Sequence, residues 1–105
     1  MRVRDMTRRA CRKDAQHDEI RDAFRSLGYH WIETYQVAQY QPGFPDGLAC
    51  RRGRVLFVEI KAQGATLTAD EARMRDTIVG YAEYIVVRSV DDVLAWAPQG
   101  GTKWV

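Results

Sequence analysis

The segment Arg54 to Lys61 constrains this chain more than any other. In an extended conformation Leu56, Val58 and Ile60 point to one face, and Val55, Phe57, Glu59 and Lys61 to the other. A strand this apolar on both faces belongs near the centre of a sheet. Two charged residues following two apolar ones on one face then need a reason. Burying an acid and a lysine is costly unless a partner or a metal compensates them.

The flanking sequence places this strand in a fold. Asp14 to Leu27 carries Ala15, Ile20, Ala23, Phe24 and Leu27 at helical spacing, with Gly28 placed to end the helix. Tyr29 to Val37 is aromatic and β-branched and reads as a strand. Pro42, Gly43 and Pro45 mark Gln39 to Pro45 as a loop. A short strand, Asp46 to Cys50, meets the Arg54 strand across Arg51, Arg52 and Gly53, a hairpin signature. Thr68 with Glu71 three residues later forms a capping box opening a second helix, with Met74, Ile78 and Val79 as its apolar stripe. Tyr84 to Arg88 reads as a buried strand, and Asp91 to Ala97 as a final helix stopped by Pro98. The order is α-β-β-β-α-β-α. The hairpin demands antiparallel neighbours, and the strand-helix-strand from Val55 to Val87 demands a right-handed crossover between parallel strands. The expected fold class is α/β, a small mixed sheet flanked by helices.

At 105 residues the chain has room for one domain and one hydrophobic core. Its 16 basic and 14 acidic residues nearly balance, so net charge is uninformative. Their distribution is not. Arg2, Arg4, Arg8, Arg9, Arg12 and Lys13 crowd residues 1–13, opposed there only by Asp5. Two readings of this segment are open: a solvated tail, and an arm whose cations displace counterions from a phosphate backbone. Arg51, Arg52, Arg54, Arg73 and Arg75 are the next basic candidates. Cys11 and Cys50 form neither a CxxC pair nor a disulfide framework, which suits a reducing compartment. A charged N-terminus without an apolar stretch, and no apolar run of spanning length, give the expectation of a cytoplasmic protein without membrane attachment.

The chemistry converges on three residues. If the hairpin strands pair, Asp46 and Glu59 come together, and Lys61 lies one pleat beyond Glu59 on the same face. Two carboxylates plus a backbone carbonyl, that of Ile60, are hard oxygen donors suited to magnesium, which retains several waters. Such an ion activates water and offsets charge on phosphoryl oxygens, and a neighbouring ammonium orients water or stabilises the developing charge. An acid-x-Lys triplet alone is expected about once by chance in a chain of this length. The weight rests on its context: a strand-start aspartate, a hairpin, an apolar strand and a capped helix.

In that context, Pro45-Asp46 followed by Glu59-Ile60-Lys61 resembles the PD-(D/E)xK nuclease motif. Gly43-Phe44-Pro45-Asp46-Gly47-Leu48, Val58-Glu59-Ile60-Lys61, Leu67-Thr68 and Val86-Val87-Arg88-Ser89-Val90-Asp91-Asp92 are similar to the VRR-NUC branch of that superfamily. The likeness runs from about Asp14 to Leu94. It implies a restriction-endonuclease-like core and a Mg²⁺- or Mn²⁺-dependent endonuclease, bacterial or phage-encoded. The implied substrate is branched DNA such as four-way junctions or flaps, and the implied assembly a homodimer. It also implies that an acid on the first helix, matched here by Glu19, joins Asp46, Glu59 and the Ile60 carbonyl at the metal. The chain departs from the pattern at Glu71, where many relatives carry glutamine.

Several residues have plainer readings. Glu71 suits a capping partner for Thr68, Gln63 is a loop residue that could touch substrate, and Asp14 and Asp18 compete with Glu19. His17 and His30 read as structural or solvated. The expected DNA contacts are Arg8, Arg9, Arg12, Lys13 and Gln63. A rival reading from another class is a nucleic-acid-binding module that keeps the fold without cutting, and a third is a metal-free interaction domain.

Overall fold

Helix α1 spans Val3–Ser26 in the computed structural model, which describes residues 3–102 and side chains from 15 to 97. It starts well before Asp14, so the segment read as an arm is helical from Val3 onward. Arginine, lysine, methionine and alanine are good helix formers, and neither proline nor glycine interrupts them. The helix ends in a Schellman motif around Gly28, whose φ of +88° closes the turn. The Tyr29 amide donates to Phe24 O at 3.1 Å and the Gly28 amide to Arg25 O at 3.0 Å.

Strand β1 covers only His30–Glu33, followed by a 3₁₀ turn at Tyr35–Gln39, so the single strand expected from Tyr29 to Val37 is cut short. The cause is Thr34, which is buried and turned inward. Its hydroxyl donates to Pro45 O at 2.8 Å, which takes the chain out of the sheet. Strands β2 (Gly47–Arg51) and β3 (Arg54–Ile60) form the expected hairpin. Arg52 at φ 49° and Gly53 at φ 81° make the positive-φ turn that two-residue hairpins favour. Helix α2 (Ala69–Ile78) carries the capping box at Thr68 and Glu71. Strand β4 (Glu83–Val87) then pairs with β3 in parallel. Helix α3 spans Val90–Thr102, so it continues through Pro98 rather than stopping before it. Pro98 removes only the one backbone donor that would reach Leu94 O, and the adjoining turn is held from outside the helix, the Ala97 carbonyl accepting from Tyr29 Oη and Arg54 Nη1, both at 3.2 Å.

The sheet order is β1-β2-β3-β4, antiparallel except for the β3-β4 pair. Leu56, Val58 and Ile60 of β3 and Ile85 and Val87 of β4 face the core with Ile20 and Phe24 of α1 and Val93 and Ala97 of α3. Full burial of side chains such as Leu56 or Val58 stabilises by about 1.5–3 kcal/mol each. With α1 and α3 on that face, the opposite face holds Phe57, Glu59, Lys61 and Tyr84 beside the start of α2. The expected small mixed α/β sheet is therefore what the chain forms. Among the described residues no helix is long and apolar enough to cross a membrane.

Arg54 is not a surface cation. It is buried at the start of β3, donating to Glu83 at 2.7 and 3.2 Å and to Tyr29 Oη at 2.7 Å, with its guanidinium 4.7 Å from the Trp96 ring centre. A buried guanidinium needs this full set of partners, so Arg54 is removed from the candidate DNA contacts.

Candidate active site

Asp46 is fixed from three directions. Its amide donates to Val58 O at 2.9 Å, its carbonyl accepts from the Thr34 amide at 3.4 Å, and its carboxylate Oδ2 accepts from the Ile60 amide at 2.8 Å. The pairing of Gly47 with Val58 extends by one residue to set Asp46 opposite Glu59. Gly47 is required for this. A Cβ there would stand 2.1 Å from Trp31 Cζ2, and the Trp31 ring lies across that backbone. Trp31 is in turn held by its indole N–H, which donates to Glu33 at 2.9 Å, and by an edge contact with His17, itself 2.6 Å from the same carboxylate oxygen. His17 is thus a structural histidine.

The loop before Asp46 is seated with equal closeness. At Gly43, φ is +84° and a Cβ would lie 2.3 Å from the Asp70 carbonyl oxygen, so the loop backbone rests on the first turn of α2. Phe44 packs edge-on against Phe57, with ring centres 5.9 Å apart. Loop, strand and helix start thus close around Glu59, which is only 3% exposed.

Burial is the largest influence on the Glu59 carboxyl, followed by the charge of Asp46 and a hydrogen bond with it, then by Glu71; Lys61 opposes them. Together they push its pKa up to about 9. At neutral pH Glu59 therefore keeps its proton beside Asp46, while Oε1 is buried without a hydrogen-bond partner. Lys61 Nζ lies 3.9 Å from Glu59 Oε2 and 2.5 Å from Glu71 Oε1. Burial pushes the Glu71 carboxyl up, but hydrogen bonds from Lys61 and Thr68 outweigh it and hold the group below its usual range. Glu71 accepts from the Thr68 amide at 2.9 Å while engaging the lysine, so it serves both as cap and as the partner of Lys61.

The far end of the site is tied down by Gln16 of α1. Its side-chain amide donates to Lys61 O at 3.0 Å and Arg88 O at 3.2 Å, joining the ends of β3 and β4. Arg88 donates to Ala65 O at 2.8 Å and restrains the loop that carries Gln63.

The structure thus brings together Asp46, Glu59 and Lys61, as expected, and adds Glu71 and Tyr84. Glu19 is exposed on α1, and among the described residues no three His, Cys, Asp or Glu side chains group around one point. Gln63 is exposed two residues beyond Lys61. The side chains of Arg8, Arg9, Arg12 and Lys13 lie outside the described residues. The double role of Glu71 was half-visible in the Thr68-x-x-Glu71 pattern; its lysine contact depends on how α2 crosses the sheet. Gln16 carried no signal of its own.

The donor set fits a hard divalent cation. Asp46 and Glu59 offer two carboxylates, and Mg²⁺ is commonly held by one or two with the rest of its shell water. The Ile60 amide points to Asp46, and in an extended residue the carbonyl faces the same way, so Ile60 O lies on that side too. The orphaned Glu59 Oε1 and the proton retained against its ordinary acidity are what such an ion would satisfy and displace. Compared with known protein families, curated proteins and solved structures, the chain matches none.

Proposed function

We propose that this protein is a Mg²⁺- or Mn²⁺-dependent DNA endonuclease on a restriction-endonuclease-like core, similar to the VRR-NUC nucleases. The observation that carries this reading is the buried Asp46–Glu59 pair with an unsatisfied Glu59 oxygen, followed on the same strand face by Lys61. Such an arrangement costs folding energy and makes sense where a cation is to be held. When bound, the ion supplies charge to offset that building on the phosphoryl oxygens and promotes the attack of water.

Asp46, Glu59 and the Ile60 carbonyl would hold that ion, and Lys61, 3.9 Å from Glu59, would be the cation nearest a phosphate bound there. Its ammonium donates toward the scissile group, where a compact charge stabilises the developing negative oxygen. Glu71 fixes the lysine between the two acids through its 2.5 Å contact. Exposed Gln63 and the basic start of α1 position the phosphate backbone. Branched DNA as substrate, and a homodimer placing two sites on it, follow from the same resemblance.

The test is to incubate purified protein with end-labelled linear, flap and four-way-junction DNA, in EDTA, Mg²⁺ or Mn²⁺. Cutting of a branched form that requires the metal supports the reading. Tight DNA binding without cutting in either metal would replace it with the non-cleaving module.

A further inference from the structure

Tyr84 stands on β4 in register with Phe57 and on the same sheet face as Glu59. Its ring is half-buried, but its hydroxyl is out of contact with solvent and has no hydrogen-bond partner. Buried hydroxyls without partners are rare, because each forfeits its hydration and gains nothing in return. Burial raises its pKa well above the ordinary phenol value, and among charged groups Glu59 acts on it most strongly, ahead of Glu71, Arg75 and Asp46. The same face therefore holds two complementary orphans: a hydroxyl that can donate, and a carboxyl oxygen, Glu59 Oε1, that can accept. The sequence hid this, since Tyr84 reads there as one more member of an apolar strand.

We propose that Tyr84 is the positioning donor for Glu59: when a cation is held, the Tyr84 hydroxyl donates to the lone pair of Oε1 that the ion leaves free and keeps the carboxylate turned toward Asp46, so that both acids face one cation. The proposal rests on the metal-site reading above and adds a residue to it. Groups that orient a ligand in this way typically change metal affinity or activity about 10- to 100-fold when removed. In the metal-free protein the hydroxyl contributes nothing to stability, because it has no partner to lose.

The test is Tyr84→Phe, which keeps the ring and deletes only the donor. Mn²⁺ affinity is measured by titration calorimetry and thermal unfolding in EDTA, on full-length protein beside the wild type. The expected result is Mn²⁺ binding weakened about 10-fold or more, with a Tm in EDTA equal to or above that of the wild type. Cleavage by the variant should recover as Mn²⁺ is raised. Unaltered Mn²⁺ affinity in Tyr84→Phe, while the wild type binds, would overturn the role of Tyr84 and leave the metal site standing. Weaker binding accompanied by a lower Tm would assign Tyr84 to packing and equally overturn it. A wild-type chain that takes up no Mn²⁺ would refute the metal site itself, and the proposal with it.

Discussion

Glu59 is where the sequence and the energetics of this protein disagree most. Its neighbours on β3 belong in a core, and it is buried with them, so the fold retains a proton there that free solution would remove. The consequence has a definite sign. The folded-state pKa of about 9 lies above the ordinary 4.5, so between these values the folded chain binds a proton that the unfolded chain has lost. Stability without metal is therefore greatest below the lower value and declines as pH rises through the window. Urea midpoints measured in EDTA from about pH 5 to 9 should fall steadily for the wild type and stay nearly flat for Glu59→Gln. Parallel curves would show that Glu59 titrates normally. Divalent ions should reverse the trend, because higher pH removes the proton with which they compete.

The elements show which parts of the fold are written locally. The β2–β3 hairpin was legible because Arg52-Gly53 between two apolar runs supplies the turn directly, and α2 because Thr68 and Glu71 cap it within four residues. Together they put Asp46, Glu59 and Lys61 in one place before any long-range contact is considered. The reach of α1 back to Val3 is local too, written in helix-forming residues whose charge suggests an arm instead. What else stayed hidden depends on tertiary contact: Thr34 bending β1 out of the sheet and α3 continuing past Pro98. Gly47 is the sharpest example. The sequence places it in a strand, as the structure does, but carries no sign that its missing side chain admits the Trp31 ring. Gly47→Ala should cost about 3 kcal/mol through overpacking, lowering Tm by about 12 °C or more for a domain of this size. Thermal unfolding monitored by tryptophan fluorescence checks this. A Tm within a few degrees of wild type would mean that Trp31 can leave the position assigned to it.

At the scale of the whole molecule, the two ends of the sheet divide the work. The Arg54–Glu83–Tyr29 network fixes the start of β3, while Gln16 and Arg88 fix the end that carries Lys61. The basic residues at 2–13 now sit largely within α1, so as DNA contacts they would act from a helix rather than a loose arm. Deleting residues 1–9 should flatten the slope of log DNA affinity against log salt by roughly one for each phosphate-binding cation removed, and weaken all DNA shapes alike. An unaltered slope would move the DNA-binding surface to Arg52 and Arg73, both exposed. Above all, Lys61 has to serve the reaction rather than the grip on DNA. Single-turnover cleavage of a labelled four-way junction in Mn²⁺, by wild type and by Lys61→Ala, tests this directly. The wild type should cut and EDTA should stop it, while Lys61→Ala should cut about 100-fold or more slowly with a DNA Kd within a few-fold of wild type. Equal cutting by the two proteins, or none by the wild type in either metal, would contradict it.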